Sequence, residues 1–306
     1  MSLWQTCKVA WEGVTLNKVR SFLTTLGIII GVAAVIIMMA VSAGAEAEIA
    51  EQINALGANL VMVTRARRPG SMGREGKPPL IYEDVGAIAA NVRGINGVTA
   101  ERLTTQDVRG GGITLEDISV VGTTADFPQV REYDVAAGRF FTAEENEHCR
   151  KVAVLGHGIA QDLFGGESPI GQQIKIGSVR FAVVGVMEKR GMVGGTDYDG
   201  RVYIPITVVF KKFAPARFGD MVQVIYVSAE SQEVMDSVMA QIATLLCERH
   251  GVAPTNPDFN LLTQESIIET QASATEAFRN LLAWVAGVSL VVGGIGIMNI
   301  MLVSVT

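Results

Sequence analysis

Two stretches without a single charged side chain constrain this chain more than any other feature. They are residues 21–41, SFLTTLGIIIGVAAVIIMMAV, and residues 281–305, LLAWVAGVSLVVGGIGIMNIMLVSV. Each reaches the roughly 20 residues that a helix needs to cross a hydrocarbon core about 30 Å thick. In lipid every backbone N–H and C=O must find its partner internally, which leaves helix as the solution for a single segment. Both stretches are therefore read as transmembrane helices. Composition agrees, with 49% hydrophobic and 18% charged residues, where soluble domains carry about a quarter charged.

The first stretch exceeds the apolar core of about 7–15 residues found in a signal peptide. An amphipathic segment also precedes it, so it is read as an uncleaved anchor, although Val41, Ser42 and Ala43 resemble a cleavage site. Lys8, Lys18 and Arg20 lie before it, with Glu12 as the only acid. The positive-inside rule then places the N-terminus in the cytoplasm and residues 43–265 outside. The formal net charge of −6 sits with the exterior part and argues against nucleic acid as a partner. Membrane lipid is the partner that the apolar runs require.

In residues 3–20, Trp4, Cys7, Trp11 and Val14 recur at helical spacing. This suits a helix in the headgroup layer and equally one packed on another subunit. The first membrane helix is expected to continue outward through residues 42–57, where Ala45, Ile49, Ile53 and Leu56 share a face and Gly57 provides a stop. Ser266 and Glu269 fit a capping box that opens a second long helix through residue 305. Two long helices are thus expected to leave the bilayer side by side.

The segment between them reads as α+β. Residues 59–64, 98–108, 221–228 and 259–262 have strand patterns, and 82–92 and 232–249 have helical ones, giving two β-α-β units. An insertion carries strand patterns at 118–121, 152–155, 173–176, 181–187 and 202–204, with turns at Gly138, Gly156, Gly171 and Gly177. The organisation is then an amphipathic helix at 1–20 and a membrane and stalk helix at 21–57. Paired halves at 58–109 and 221–263 flank a mostly β insertion at 110–220. A second stalk and membrane helix occupies 264–306.

The search for chemistry returns little. No G-x-x-x-x-G-K-[ST] phosphate loop occurs. In VAVLGHGIAQ, residues 152–161, Gln161 stands where a dinucleotide fingerprint needs its third glycine, and no opening helix is expected there. Asp197 and Asp199 have D-x-D spacing but lack the further oxygens of a calcium loop. His148, Cys149, Cys247 and His250 have loose spacing for zinc, and the two cysteines fall in different parts of the chain, so no disulfide is expected. Glu144 and Glu145, in TAEEN, read as helix-capping residues. No nucleophile elbow or metal cluster is found, so no catalytic residue, cofactor or metal is assigned. The basic loop 65–77 reads as a solvated loop. Within the membrane stretches, Gly27 and Gly31 sit one turn apart, and Gly293, Gly294 and Gly296 are followed by Asn299. Such small residues let helix backbones approach closely, so these six are the candidate helix-packing residues; a simple kink at the second cluster remains the alternative.

Several segments together resemble one family: NKVRSFLTTLGIIIGVAAVI (17–36), INALGANLVMV (53–63), AAGRFFTAEE (136–145), VAVLG (152–156), LFGGESPIGQQIKIG (163–177), FAVVGVM (181–187) and GGIGIMNIMLVSVT (293–306). The chain is similar over nearly its whole length to the MacB/FtsX-like ABC transporter permeases. That resemblance implies an export permease of a bacterial inner membrane that works as a homodimer with a separate or fused ATPase on the cytoplasmic side, commonly with a periplasmic adaptor protein; because the chain begins at the first span, a separate ATPase subunit is expected here. It implies mechanotransmission, in which ATP-driven motion travels along stalk helices to a porter-like part with an inserted sabre-like part, and efflux of drug, peptide or lipid-type substrates. An FtsX-like regulator of a cell-wall hydrolase is the alternative it allows. The chain starts at the first span and ends at Thr306 in the second, where members of the family continue into further spans.

Overall fold

The computed structural model describes residues 25–26, 29, 32–33, 36–37, 39–41, 44, 59–66, 80–193, 195–214 and 220–305. The amphipathic segment 3–20, the extension 45–57, the greater part of the basic loop 65–77, and Gly27 and Gly31 lie outside these residues. Residues 52–267 form one compact unit, and residues 1–51 with 268–306 form another.

In chain order the described elements are β1 (Leu60–Arg65), α1 (Tyr82–Asn91), β2 (Ile95–Gly110), β3 (Ile113–Thr123), α2 (Phe127–Val130), β4 (Val135–Gly138) and α3 (Ala143–Glu147). There follow β5 (Val152–Leu155), α4 (His157–Phe164), β6 (Gln173–Ile176), β7 (Val179–Met187), β8 (Met192–Val193), β9 (Thr196–Asp197), β10 (Arg201–Pro205) and α5 (Ile206–Lys212). The chain then forms β11 (Val224–Ala229), a short 3-10 turn, α6 (Met235–His250), β12 (Phe259–Thr263) and α7 (Gln264–Val305).

Strand alternation builds the first layer. Val61 and Val63, Val98 and Ala100, and Ile225 and Val227 take every second position of their strands and bury one face. Two helices cover that face, α1 with Val85 and Ile88, and α6 with Val238, Ile242 and Leu246 at spacings of four. Burying each such side chain contributes about 1.5–3 kcal/mol. The strand order is β12-β1-β11-β2, all antiparallel. Each β-α-β unit is split by a strand of the other, so the halves interleave in the ferredoxin-like manner.

β2 does not stop at this sheet. Residues 95–101 pair with β11, residues 102–110 pair with β3, and Val108 and Arg109 also pair with β6. From β3 the ladder passes through β10, β5 and β7, and β6 bonds to both β7 and β2. The path β2-β3-β10-β5-β7-β6-β2 closes on itself, with β4 added to β7. The insertion is therefore a small closed barrel that grows out of β2 instead of hanging from linkers. Ala153 and Leu155, Phe181 and Val183, and Val202 and Ile204 pack with α4 and α5 on one face. Val121, Val154, Tyr203 and Met187 pack with Phe127, Tyr133 and Phe141 on the other.

Two expectations need correction. The strand β5 does open into a helix: Gly156 precedes α4 directly. Its glycine serves packing, because an added Cβ would sit 2.5 Å from the Asp199 carbonyl oxygen and 2.8 Å from that of Arg201. Further on, α7 starts at Gln264, so Ser266 lies inside the helix and does not cap it. Thr263 takes that place: the Ser266 N–H donates to Thr263 Oγ1 at 3.1 Å, and the Thr263 N–H donates to Ser266 Oγ at 3.1 Å. A serine thus fills the reciprocal role usually taken by Glu or Gln. β12 accordingly passes into α7 with no intervening loop.

α7 runs unbroken through 42 residues, about 63 Å at ~1.5 Å per residue. Counting described residues alone, no helix is long and apolar enough to cross a membrane. Several side chains of the charge-free stretch 281–305 fall outside that set.

Two glycines test this packing against each other. Gly156→Ala is expected to destabilise the protein by about 2–3 kcal/mol, because the new methyl meets backbone that cannot shift freely. Gly86→Ala, in α1 with nothing within 4 Å of the added Cβ, is expected to stabilise by about 0.5–1 kcal/mol. Denaturation curves of the two variants against the parent check both signs.

Candidate functional site

Sequence reasoning put its candidate site in the membrane stretches. Thr25, Leu26, Ile29, Val32, Ala33, Ile36, Ile37, Met39, Ala40 and Val41 are helical where the first stretch is described. Gly293, Gly294, Gly296 and Asn299 all lie on the α7 backbone. Gly294 is exposed, and a Cβ built on it meets nothing within 4 Å. The side chains of the other three are not described. What the structure adds is a run of apolar side chains on α7 that this chain leaves uncovered: Phe278, Leu281, Trp284, Val288, Val291, Ile295 and Met298, with Trp284 at 77% exposure. A contiguous apolar surface of this kind marks contact with lipid or with other apolar helices.

In the unit of residues 52–267, hereafter the outer unit from the exterior position expected of it, several polar groups have structural partners. Thr142 and Glu145 form a reciprocal cap on α3, and Arg139 clasps the same carboxylate with Nη1 and Nη2, both at 2.7 Å. The Arg139 hydrogen bonds, working against partial desolvation, hold the Glu145 carboxyl down at about 2. The capping role read for this stretch is therefore seen. Asp197 Oδ1 accepts the N–H groups of Asp199 and Gly200 at 3.1 Å, and Asp199 Oδ1 accepts the Arg190 N–H at 2.9 Å. Both carboxylates shape their own loop. Cys149 and Cys247 are free thiols. Among the described residues no cluster of His, Cys, Asp and Glu is arranged to hold a metal ion.

Two charged clusters were not anticipated. The first lies where β2 leaves the open sheet for the barrel. Arg131, 3% exposed, stacks over the Tyr226 ring at 4.3 Å and donates through Nη2 to the Tyr198 hydroxyl. Arg190 lies over the Tyr133 ring at 5.0 Å and donates to the Arg131 carbonyl oxygen at 3.1 Å. Glu101 of β2 is buried beside them, and burial pushes its carboxyl pKa up despite the nearby arginines. Cation–π contact keeps a guanidinium in such a place at modest desolvation penalty.

The second cluster joins the two helices of the ferredoxin-like layer. Asp84, 1% exposed, stands at the start of α1 and accepts the Ile81 N–H at 3.0 Å. It also receives Arg249 Nε at 2.9 Å and His250 Nε2 at 3.2 Å, while His250 Nδ1 lies 2.9 Å from Asp258 Oδ1. Burial acts to raise the Asp84 pKa, but hydrogen bonds from His250, Ile81 and Arg249 outweigh it and hold the carboxyl below its ordinary range. The hydrogen bond to Asp84 raises the His250 pKa against desolvation, with Asp258 adding to it. Its place in the last turn of α6 favours the cation too. Nothing in one sequence shows that the Asp84 and Arg249-His250 helix ends meet, since 165 positions separate Asp84 from Arg249.

The comparisons with known proteins bear on the whole chain. The family described as the MacB-like periplasmic core domain matches residues 21–245. The macrolide export ATP-binding/permease protein MacB of Azoarcus sp. is 37% identical over 305 residues, covering 99% of this chain and 45% of that protein. The pyoverdine export ATP-binding/permease protein PvdT of Pseudomonas aeruginosa is 33% identical, covering 99% of this chain and 44% of its own length. The chain thus spans about half the length of the curated relatives it matches. Among solved structures, the periplasmic region of MacB from Actinobacillus actinomycetemcomitans aligns with TM-score 0.60 at 20% identity, covering 72% of this chain and 96% of that one. The extracellular domain of the ABC-type transporter YknZ from Gram-positive bacteria aligns with TM-score 0.54 at 22% identity, covering 67% and 100%. These two show the fold.

The Asp84–His250 brace carries a pH signature. His250 has a raised folded pKa, so its support is complete below the ordinary 6.5 and disappears as pH rises through the folded value. Asp84 has a lowered one, so its support is present above the ordinary 3.8 and disappears in acid. Asp84→Asn is expected to destabilise by about 2–3 kcal/mol near pH 6, the lower end for a broken buried pair because Arg249 is part-exposed. It should destabilise less at a higher pH, beyond the raised folded value of His250, where the parent loses this cation as well. Unfolding curves of parent and variant at the two pH values measure the difference.

Proposed function

The chain belongs to the family of the MacB-like periplasmic core domain, and we propose from this membership that it is a permease subunit of an ABC export system. In this reading residues 21–41 and 281–305 cross the inner membrane, the N-terminus is cytoplasmic, and residues 43–265 stand outside it. The observation that carries the reading is the uncovered apolar run on α7, continuous in sequence with a helix that starts directly from β12. Lipid and partner helices are the surroundings that such a surface needs. Gly27, Gly31, Gly293, Gly294, Gly296 and Asn299 would form the seams at which helices of the permease meet, within the chain or in a homodimer.

Mechanically, the work of the subunit is transmission. ATP hydrolysis by the ATPase of the export system would move α7, and the loop-free joint at Thr263–Gln264 would pass that motion to the outer unit. A helix with every backbone bond intact is stiff along its axis, and a flexible joint would dissipate the displacement. The named relatives export a macrolide or pyoverdine, which favours export of a small molecule, with a periplasmic adaptor beyond the outer unit, over regulation of a cell-wall hydrolase.

Two measurements test this. The complete protein that contains this segment is expected to carry or to co-purify with an ABC ATPase and to stimulate its turnover; absence of an ATPase in either form would remove the proposal. A flexible Gly-Ser insertion between Thr263 and Gln264 is expected to reduce export at least about tenfold while ATP hydrolysis persists. Export that survives the insertion would reject the transmission mechanism.

A further inference from the structure

Beside the edge strand β12 runs a groove of ≈ 700 Å³. One wall is the α6 face that carries Ala243, Thr244, Cys247 and Glu248. Phe259, Asn260, Leu261 and Leu262 of β12 line it from the sheet side, and Val252 lines it from the loop between. β12 is the last strand of its sheet, with no described strand beyond it.

The ladder itself tells which backbone groups of β12 do not bond to β1. The Ala66 N–H donates to the Asp258 carbonyl at 2.9 Å, and the register pairs Arg65 with Phe259, Thr64 with Asn260, and Met62 with Leu262. In an antiparallel ladder, bonded and non-bonded pairs alternate. Since 66 and 258 are a bonded pair, Asn260 and Leu262 bond to β1, and the N–H and C=O of Phe259 and Leu261 point off the edge. Those off-edge groups thus lie on residues that also line an apolar groove. Only one charged side chain lines it, Glu248.

We propose that this groove is a docking site for an extended segment of a partner protein, which adds antiparallel to β12 beneath α6. A strand edge beside a helix is the arrangement through which β-strand addition works, main-chain bonds giving affinity and alternate side chains giving selectivity. In antiparallel addition, residues opposite Phe259 and Leu261 direct their amides at β12 and their side chains toward α6. Those positions take apolar side chains over Cys247, Val252 and Leu261, and a basic one opposite Glu248. With no cationic side chain in the lining, the site suits an internal stretch of chain and not a free carboxyl terminus. The proposal stands on the outer unit alone and does not need the export reading.

The test uses the full chain in lipid nanodiscs and a fluorescein-labelled peptide, Thr-Val-Thr-Val-Thr-Lys-Thr, whose Val and Lys side chains take the helix-facing positions. Binding is expected with Kd below about 1 mM. N-methylation of the two Val amides, which face β12, is expected to weaken it at least about tenfold, and N-methylation of the flanking Thr amides to leave it within about twofold. Replacing the Lys by Glu should weaken it, and Thr244→Trp, an exposed position on the groove wall, should abolish it. Hydrogen exchange should slow at the Phe259 and Leu261 amides and stay unchanged at Asn260 and Leu262. Equal effects of the two methylation patterns would reduce the contact to unspecific apolar adsorption and overturn the proposal. So would absence of binding at about 1 mM, or a self-association that Thr244→Trp removes, which would assign the groove to a second copy.

Discussion

A β-strand can satisfy its backbone only by bonding along its edges, and β2 must do so in two sheets at once. Its first half belongs to the four-stranded ferredoxin-like sheet, and its second half helps to close the barrel. Near Glu101 and Arg102 the strand passes from one neighbour set to the other, and the burial of charge there follows from that geometry. Two layers of different curvature meet at this point, and the gap is filled by Arg131, Tyr226, Tyr198 and Arg190 through stacking and hydrogen bonds. A flexible linker at this position would have needed no such filling. The barrel inherits its orientation from β2, which passes from one layer to the other without a loop.

The same economy appears at the other end of the unit. β12 gives way to α7 through a reciprocal Thr263–Ser266 cap, with no loop residue between strand and helix. Because β12 lies next to β1, and β1 next to β11 and then β2, an unbroken set of hydrogen-bonded neighbours runs from the start of α7 to the barrel. Displacement at the helix would reach the barrel through backbone bonds, not through side-chain contact alone.

How far this was legible varies with the type of signal. Residues 152–155 and 173–176 read as strands with the bounds they have, because short runs rich in Val and Ile that end at a glycine leave little choice. The α1 and α6 helices were legible from periodic apolar positions over several turns. The helices α2 to α5 span too few turns to show a period, and α4 was hidden behind a glycine read as a turn. The start of α7 is misplaced by three residues because Ser266 and Glu269 look like a cap in sequence, while Thr263, ending a strand, does not. Barrel closure and the Asp84–His250 brace were out of reach. Both depend on which distant segments meet, and one sequence holds no pairing information. The candidate packing residues in the two charge-free stretches rest on sequence alone.

The claim on which the account turns is that the outer unit moves as a single body because β2 has no joint. The direct measurement is the distance between spin labels on Asn91→Cys in α1 and Glu116→Cys in β3, both exposed positions in different halves. Cys7, Cys149 and Cys247 would be replaced, and the complete transporter would be examined by pulsed electron resonance with and without ATP. The account predicts one narrow distribution that is the same in both states. A second population, or a shift on ATP binding, would contradict it and place a hinge at the crossing of β2.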